Sequence, residues 1–250
     1  MEILPIVIVL LAGLVAGFVN TVSAAGSLIT LPAFIFVGLS AGQANATNRV
    51  AIMAQNFFTS YGFQTKGLKP EKYMWVLAAA TVPGAILGAW FALNIPDALF
   101  NKILSGVMLV FLVVAIVNPL KSAVGSKELV DRNRKIIGVI LYFFIGIYGG
   151  FIQAGSGFFL MAGCMLLHKF DIIKTNYYKA IIMLTYTVAA FLVFLFKGDI
   201  QWGYGVLMSI GTSAGGYIAS RWSVTADEKW IKRAMVIIIS TLSVYLWFFK

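Results

Sequence analysis

"VNTVSAAGSLITLP", residues 19–32, decides how this chain is read. It lies between two oily arms. Yet Asn20, Thr21, Ser23, Gly26 and Ser27 gather in it, with no charge and no Pro-Gly turn pair, before apolar sequence resumes at Leu28. Lipid cannot hydrogen-bond free backbone groups, so a polar break at membrane depth survives only where it is buried in protein or lines a cavity. "YGGFIQAGSGFFLM", residues 148–161, has the same Ala-Gly-Ser core. Each half of the chain therefore carries one break.

The surroundings show that these breaks lie in a membrane. Of the 250 residues, 60% are hydrophobic and 11% charged, with a mean hydropathy of +0.91. A soluble domain carries about 25% charged residues, so the expected class is an all-α polytopic membrane protein. The net charge of +10 is read as a topology signal, because most Lys and Arg fall in short loops; no nucleic-acid partner is expected. Cys164 is the one cysteine and sits in an apolar arm, which excludes an internal disulfide and suggests a core position. "MEILPIVIVLL" lacks a basic leader and a cleavage site, and reads as a retained first helix.

Apolar segments fall at 3–19, 28–39, 46–65, 73–94, 99–118, 136–152, 157–168, 178–197, 202–221 and 230–249. The polar stretch between the halves gives a first transmembrane repeat over 1–118, a cytoplasmic linker over 119–135 and a second repeat over 136–250. The halves align: Gly26-Ser27 on Gly155-Ser156, "ATNRVAIM" (46–53) on "KTNYYKAIIM" (174–183) with Arg49 over Lys179, and "PGAILGAW" (83–90) on "AGGYIASR" (214–221). The last pair has small residues four apart, which lets transmembrane helices approach closely. Internal repeats are a hallmark of transporters.

Loop charge favours an inverted arrangement over a parallel one. If each break makes a helical hairpin, Lys66, Lys69, Lys72, the linker cations, Lys169, Lys174 and the basic residues of 221–233 share one side. Only Lys102, Lys197 and Lys250 fall on the other, as expected when cytoplasmic loops hold the excess Lys and Arg. Each half is then a broken helix or hairpin plus three transmembrane helices, for 8–10 membrane segments. Two inverted breaks would meet near the midplane and present backbone N–H groups and helix N-termini, which favour anions.

All nine acidic residues fall in loops or at loop edges, which leaves no membrane carboxylate for a Na⁺ site or a proton relay. Arg49 and Lys179 instead occupy matching places near the start of the third segment of each half. There they would either coordinate an anion, Arg49 by a planar fork and Lys179 as a point charge, or snorkel to the interface. Asn48 and Asn176 stand beside them, and Gln55, Asn56 and Thr185 follow one to two turns on as neutral donors. His168 reads as an incidental interfacial residue, and Tyr177, Tyr178, Trp75, Trp202, Trp222 and Trp230 as an aromatic belt. No nucleophile motif, metal-ligand cluster or Walker sequence occurs, so neither an enzyme nor a cofactor is expected.

"AGFVNTVSAAGSLITLPAFIFVGLSAGQANATNRVAIM" resembles the first half-signature of the TauE/SafE sulfite-exporter family, and "IGIYGGFIQAGSGFF" with "KTNYYKA" resembles the second. "VPGAILGAW" looks like the family's Pro-Gly-x-x-x-Gly helix, although "SAAGS" and "QAGSG" are less glycine-rich than the family's usual run. The resemblance implies a cytoplasmic-membrane transporter of small sulfur-containing or organic anions such as sulfite and sulfonates, with proton coupling commonly proposed. Together with Gln55, it yields a candidate substrate-binding set of Asn20, Ser23, Gly26, Ser27, Asn48, Arg49, Gln55, Gln153, Gly155, Ser156, Asn176 and Lys179. A passive anion channel is the alternative. The bilayer and a small anion are the expected partners, and a homodimer is compatible with this reading.

Overall fold

The computed structural model describes residues 3–24, 26–117, 128–197 and 199–225. In chain order these form α1 Ile3–Ser23, α2 Ser27–Phe36, α3 Ala41–Gln64, α4 Lys72–Leu93, α5 Asp97–Val117, α6 Arg132–Phe151 and α7 Ser156–Ala162. A π-helical turn over Gly163–Leu167 follows α7, then α8 Ile172–Lys197 and α9 Trp202–Thr225. The expected segment 230–249 and most of the expected linker lie outside the described residues. Among the described residues four stretches, Leu4–Ser23, Lys72–Leu93, Arg132–Phe151 and Ile172–Lys197, are long and apolar enough to cross a membrane. Exposed Trp75, Ile86, Trp90, Ile140 and Phe144 on α4 and α6 suit a lipid-facing surface.

Two caps move helix starts away from where hydropathy puts them. Ser40 and Gln43 close a reciprocal capping box, Gln43 N–H donating to Ser40 Oγ at 3.3 Å and Ser40 N–H to Gln43 Oε1 at 3.0 Å. Asp171 Oδ1 accepts from Ile173 N–H at 2.9 Å and Lys174 N–H at 2.8 Å. The polar stretches before Arg49 and Lys179 are therefore helix, and both cations stand about two turns inside α3 and α8. At 0% and 1% exposed they are not snorkelling anchors. Polarity here marks a helix that faces protein, which a hydropathy window reads as a helix end.

Packing exchanges neighbours between the two halves of the chain. α4 lies mainly on α6 and α8, α9 lies on α1 and α3, and α3 and α8 touch each other. The same contacts occur twice. A Cβ built on Gly84 would lie 2.9 Å from Ile147 N, and one on Gly215 2.8 Å from Phe18 N. At both crossings backbone meets backbone with no room for a side chain. Ile147 and Phe18 are 129 positions apart, as are Gly155 and Gly26.

The breaks themselves also match. Ala24 and Gln153, again 129 apart, both adopt left-handed backbone, with φ of 62° and 56°. This region is uncommon for non-glycine residues and costs energy that the surrounding packing must supply. Past α7 the π turn takes up an extra residue. Beyond it the offset grows, to 131 between the caps Ser40 and Asp171 and 130 between Arg49 and Lys179.

Candidate functional site

The two breaks touch. Gly155, in left-handed backbone at φ 70°, starts α7 and donates its N–H to Ser27 Oγ at 3.0 Å, tying the second break to the first residue of α2. A Cβ on Gly157 would lie 2.7 Å from that of Ala24, so backbone meets backbone here as well. Gln153 Nε2 donates to Thr187 Oγ1 at 2.9 Å, and Ser156 Oγ and the Tyr186 hydroxyl bond at 2.7 Å. The Tyr186 ring in turn packs on Gly149.

Each buried cation reaches carbonyls at the far end of the chain. Arg49 donates through Nη1 to Gly149 O at 2.5 Å and through Nη2 to Gly150 O at 2.8 Å, Phe151 O at 3.4 Å and Asn45 Oδ1 at 3.2 Å. Lys179 Nζ donates to Asn20 O at 2.7 Å, Thr21 O at 2.9 Å and Asn176 Oδ1 at 3.0 Å. Three oxygen acceptors match its three N–H groups, with Met161 Sδ further off at 4.0 Å. Among the described residues neither cation has a carboxylate partner; the ion pairs found are Arg134–Asp131 and those of Lys174.

Several buried polar side-chain atoms on α1, α3, α8 and in the second break have no partner among the described residues. Both polar atoms of Asn20, Asn48 and Gln55 are unbonded, as are Asn176 Nδ2, Gln153 Oε1 and Arg49 Nε. Leaving one such group unpaired costs about 1–3 kcal/mol, so a concentration of them is expected where something polar is to be bound. Asn20 and Asn176 meet through Lys179. A run of contacts (Lys179, Asn20, Ala24, Gly157, Ser156, Tyr186, Gly149, Arg49) joins the two cation clusters across the breaks.

The remaining expected residues serve the backbone. Ser23 Oγ donates to Val19 O at 2.9 Å, and Gly26 is pressed against Asn20, so both shape the first break. Asn56 and Thr185 bond Ile52 O and Ile181 O on their own helices. Tyr177 and Tyr178 are buried and do not belong to an interfacial belt, because α8 begins before them. Trp75 and Trp202 are about half exposed, and Cys164 is buried against the Tyr142 hydroxyl at 3.0 Å. Asn45 and Tyr186 were missed by the sequence reading. Each stands at a helical spacing from a cation, four before Arg49 and seven after Lys179, and that periodicity is the signal that would have found them.

The two ends of the molecule differ. Between the α2–α3, α4–α5 and α8–α9 connections lies a cavity of about 370 Å³ lined by Ser40, Gln43, Asn45, Asp97, Lys197 and Asp199, among others. Gln43 Nε2 donates to Asp199 Oδ2 at 2.6 Å, and Asn45, bonded to Arg49, is in the wall. At the other end Lys174 pairs with Glu71 at 2.7 Å and Glu128 at 2.9 Å. Burial is the largest single influence and would raise the Glu71 carboxyl, but the Lys174 bond, the Tyr178 hydroxyl and the Lys174 charge together outweigh it and hold the group below its ordinary range. His168 is buried, not incidental at an interface: Nε2 meets the Tyr73 hydroxyl at 3.3 Å and Nδ1 meets Leu129 O at 3.4 Å. Its burial outweighs the Leu129 bond and lowers its pKa.

This is a multi-pass helical membrane protein whose two interrupted helices meet in its core. The family model of the sulfite exporter TauE/SafE matches residues 9–246, and the chain belongs to that membrane transporter family. It is 28% identical over 239 residues to a "Probable membrane transporter protein ORF9" of Sinorhizobium sp., covering 94% of this chain and 89% of that protein. A "Probable membrane transporter protein" of Haemophilus influenzae is 29% identical over 234 residues, covering 91% and 88% of the two chains. The "Probable membrane transporter protein YfcA" of Escherichia coli K12 is 23% identical over 234 residues, covering 92% and 85%. No solved structure matches the chain significantly.

Proposed function

We propose that this protein is a secondary transporter, an exporter, that moves small sulfur-containing or organic anions of the sulfite and sulfonate type across the cytoplasmic membrane. The observation that carries the reading is electrostatic. Two fully buried cations lie beside unpartnered amides, and no carboxylate among the described residues pairs with either. The helix ends they bond offset only about half a charge each, and the remaining positive field in a low-dielectric interior favours a negative solute. Amide N–H groups of Asn20, Asn48, Gln55 and Asn176 would bond its oxygens, while Arg49 and Lys179 supply charge from behind.

The halves are proposed to be inverted repeats that rock about the joined breaks. Doubled contacts at offsets of 129 to 131 positions, matched left-handed residues and the one-sided loop charge support this reading. The 370 Å³ cavity is the access route from the outer face, and the Lys174, Glu71 and Glu128 cluster is the closed cytoplasmic side. Proteoliposome counterflow tests the proposal. Internal sulfite or methanesulfonate should accelerate saturable uptake of labelled anion. Conductive, non-saturating anion current would instead support a channel, and equal stimulation by a cation would overturn the substrate class.

A further inference from the structure

We infer that Arg49 and Lys179 are reciprocal positioning residues, each holding the interrupted helix of the opposite half by its C-terminal carbonyls. The last four carbonyls of a helix lack intrahelical partners, and that end carries about half a negative charge. Water satisfies such groups at a surface. At membrane depth the protein must do so.

α1 ends at Ser23, and Lys179 bonds two carbonyls in its last turn, that of Thr21 and that of Asn20, which also accepts from Ala24 N–H at 3.0 Å. α6 ends at Phe151, and Arg49 bonds those of Gly149 and Gly150. The acceptors correspond one to one at 129 positions, while the donors lie on α3 and α8. So a residue of the first half holds a helix end of the second, and the reverse. Asn45 and Asn176, from the same helices as the cations, complete each clamp by accepting a further bond.

The assignment separates two roles that the sequence merged. Lys179 has no donor to spare, so its part is positional. Its bonds fix Asn20 beside Asn176 and leave the Asn176 Nδ2 unbonded. Both clamps bridge the halves, so any rotation of one half against the other moves both breaks. The inference concerns the protein without ligand; only its bearing on the anion site rests on the proposed function.

Hydrogen exchange read by mass spectrometry on the full-length, ligand-free protein in detergent tests it. Lys179→Met should lower protection about tenfold in peptides spanning 16–24 and leave 146–154 unchanged, since each capping charge contributes on the order of the energy that a tenfold change reflects. Arg49→Met should give the reverse pattern. Loss confined to each variant's own helix, or equal loss at both breaks, overturns the inference. Where a Met variant fails to fold, Lys179→Arg and Arg49→Lys replace it. They keep the charge and should hold the opposite break's protection within about threefold of wild type; loss there as large as elsewhere counts against the clamp. No anion is present in either arm, so the outcome is independent of which anion is carried.

Discussion

Replacing Ser27 by Ala isolates the one side-chain bond that joins the two breaks among the described residues. Gly155 N–H donates to Ser27 Oγ at 3.0 Å, and both residues are buried. The substitution leaves that N–H without an acceptor, because no backbone carbonyl among the described residues accepts from it. An orphaned buried donor costs about 1–3 kcal/mol. For a chain of this length 1 kcal/mol shifts a melting temperature by about 2–4 °C, so Ser27→Ala should lower Tm in detergent by about 2–12 °C. Ser23→Ala is the matched control. Its hydroxyl only returns to Val19 O on its own helix, and its loss orphans no N–H, so the change should stay within about a degree or two. Equal melting of Ser27→Ala and wild type would refute the joined-break geometry. A drop in the Ser23 control as large as that in Ser27→Ala would show that any small polar-to-Ala change in this region is costly, and would refute the assignment to one bond.

Other outcomes follow from the same contacts. Gly84→Leu should destabilise by about 1–3 kcal/mol or more through overpacking on Ile147, whereas Gly106→Leu, with nothing within 4 Å of a Cβ there, should be near neutral in the same melt. His168 has a lowered pKa in the folded protein, so the unfolded chain binds the extra proton and stability should fall as pH drops below about 6.5; His168→Gln should flatten that part of the pH–Tm curve. Glu71 is shifted in the acid sense. Its contribution should be complete above about pH 4.5 and disappear as pH falls through the lower folded value, and Glu71→Gln should remove that acid limb. Asn48→Leu and Gln55→Leu should weaken anion transport without lowering Tm, because neither side chain has a partner to lose among the described residues.

The sequence carried the breaks, the doubled pattern and the identity of the paired cations, because each is a local cluster recurring at a nearly fixed distance. Hydropathy put the starts of α3 and α8 at 46 and 178, five and six residues late, since Ser40 and Asp171 cap helices whose first turns are polar. That error brought Arg49 and Lys179 to a boundary and made Tyr177 and Tyr178 look interfacial. The cations' acceptors could not be read at all. They are backbone carbonyls 100–159 positions away, which any residue type supplies. The exchange of neighbours, with α4 on α6 and α9 on α1, also leaves no mark in one chain's composition. Only the small residues at the crossings hint at it.

The most direct test is to locate a bound anion. Protein saturated with selenite, a heavy analogue of sulfite with a detectable anomalous signal, should show one peak in the core, within hydrogen-bond reach of the Asn20 and Asn176 amides and lost on adding excess sulfite. A peak confined to the cavity between Gln43 and Asp199, or a map with the anion only at the molecule's surface, would contradict the account.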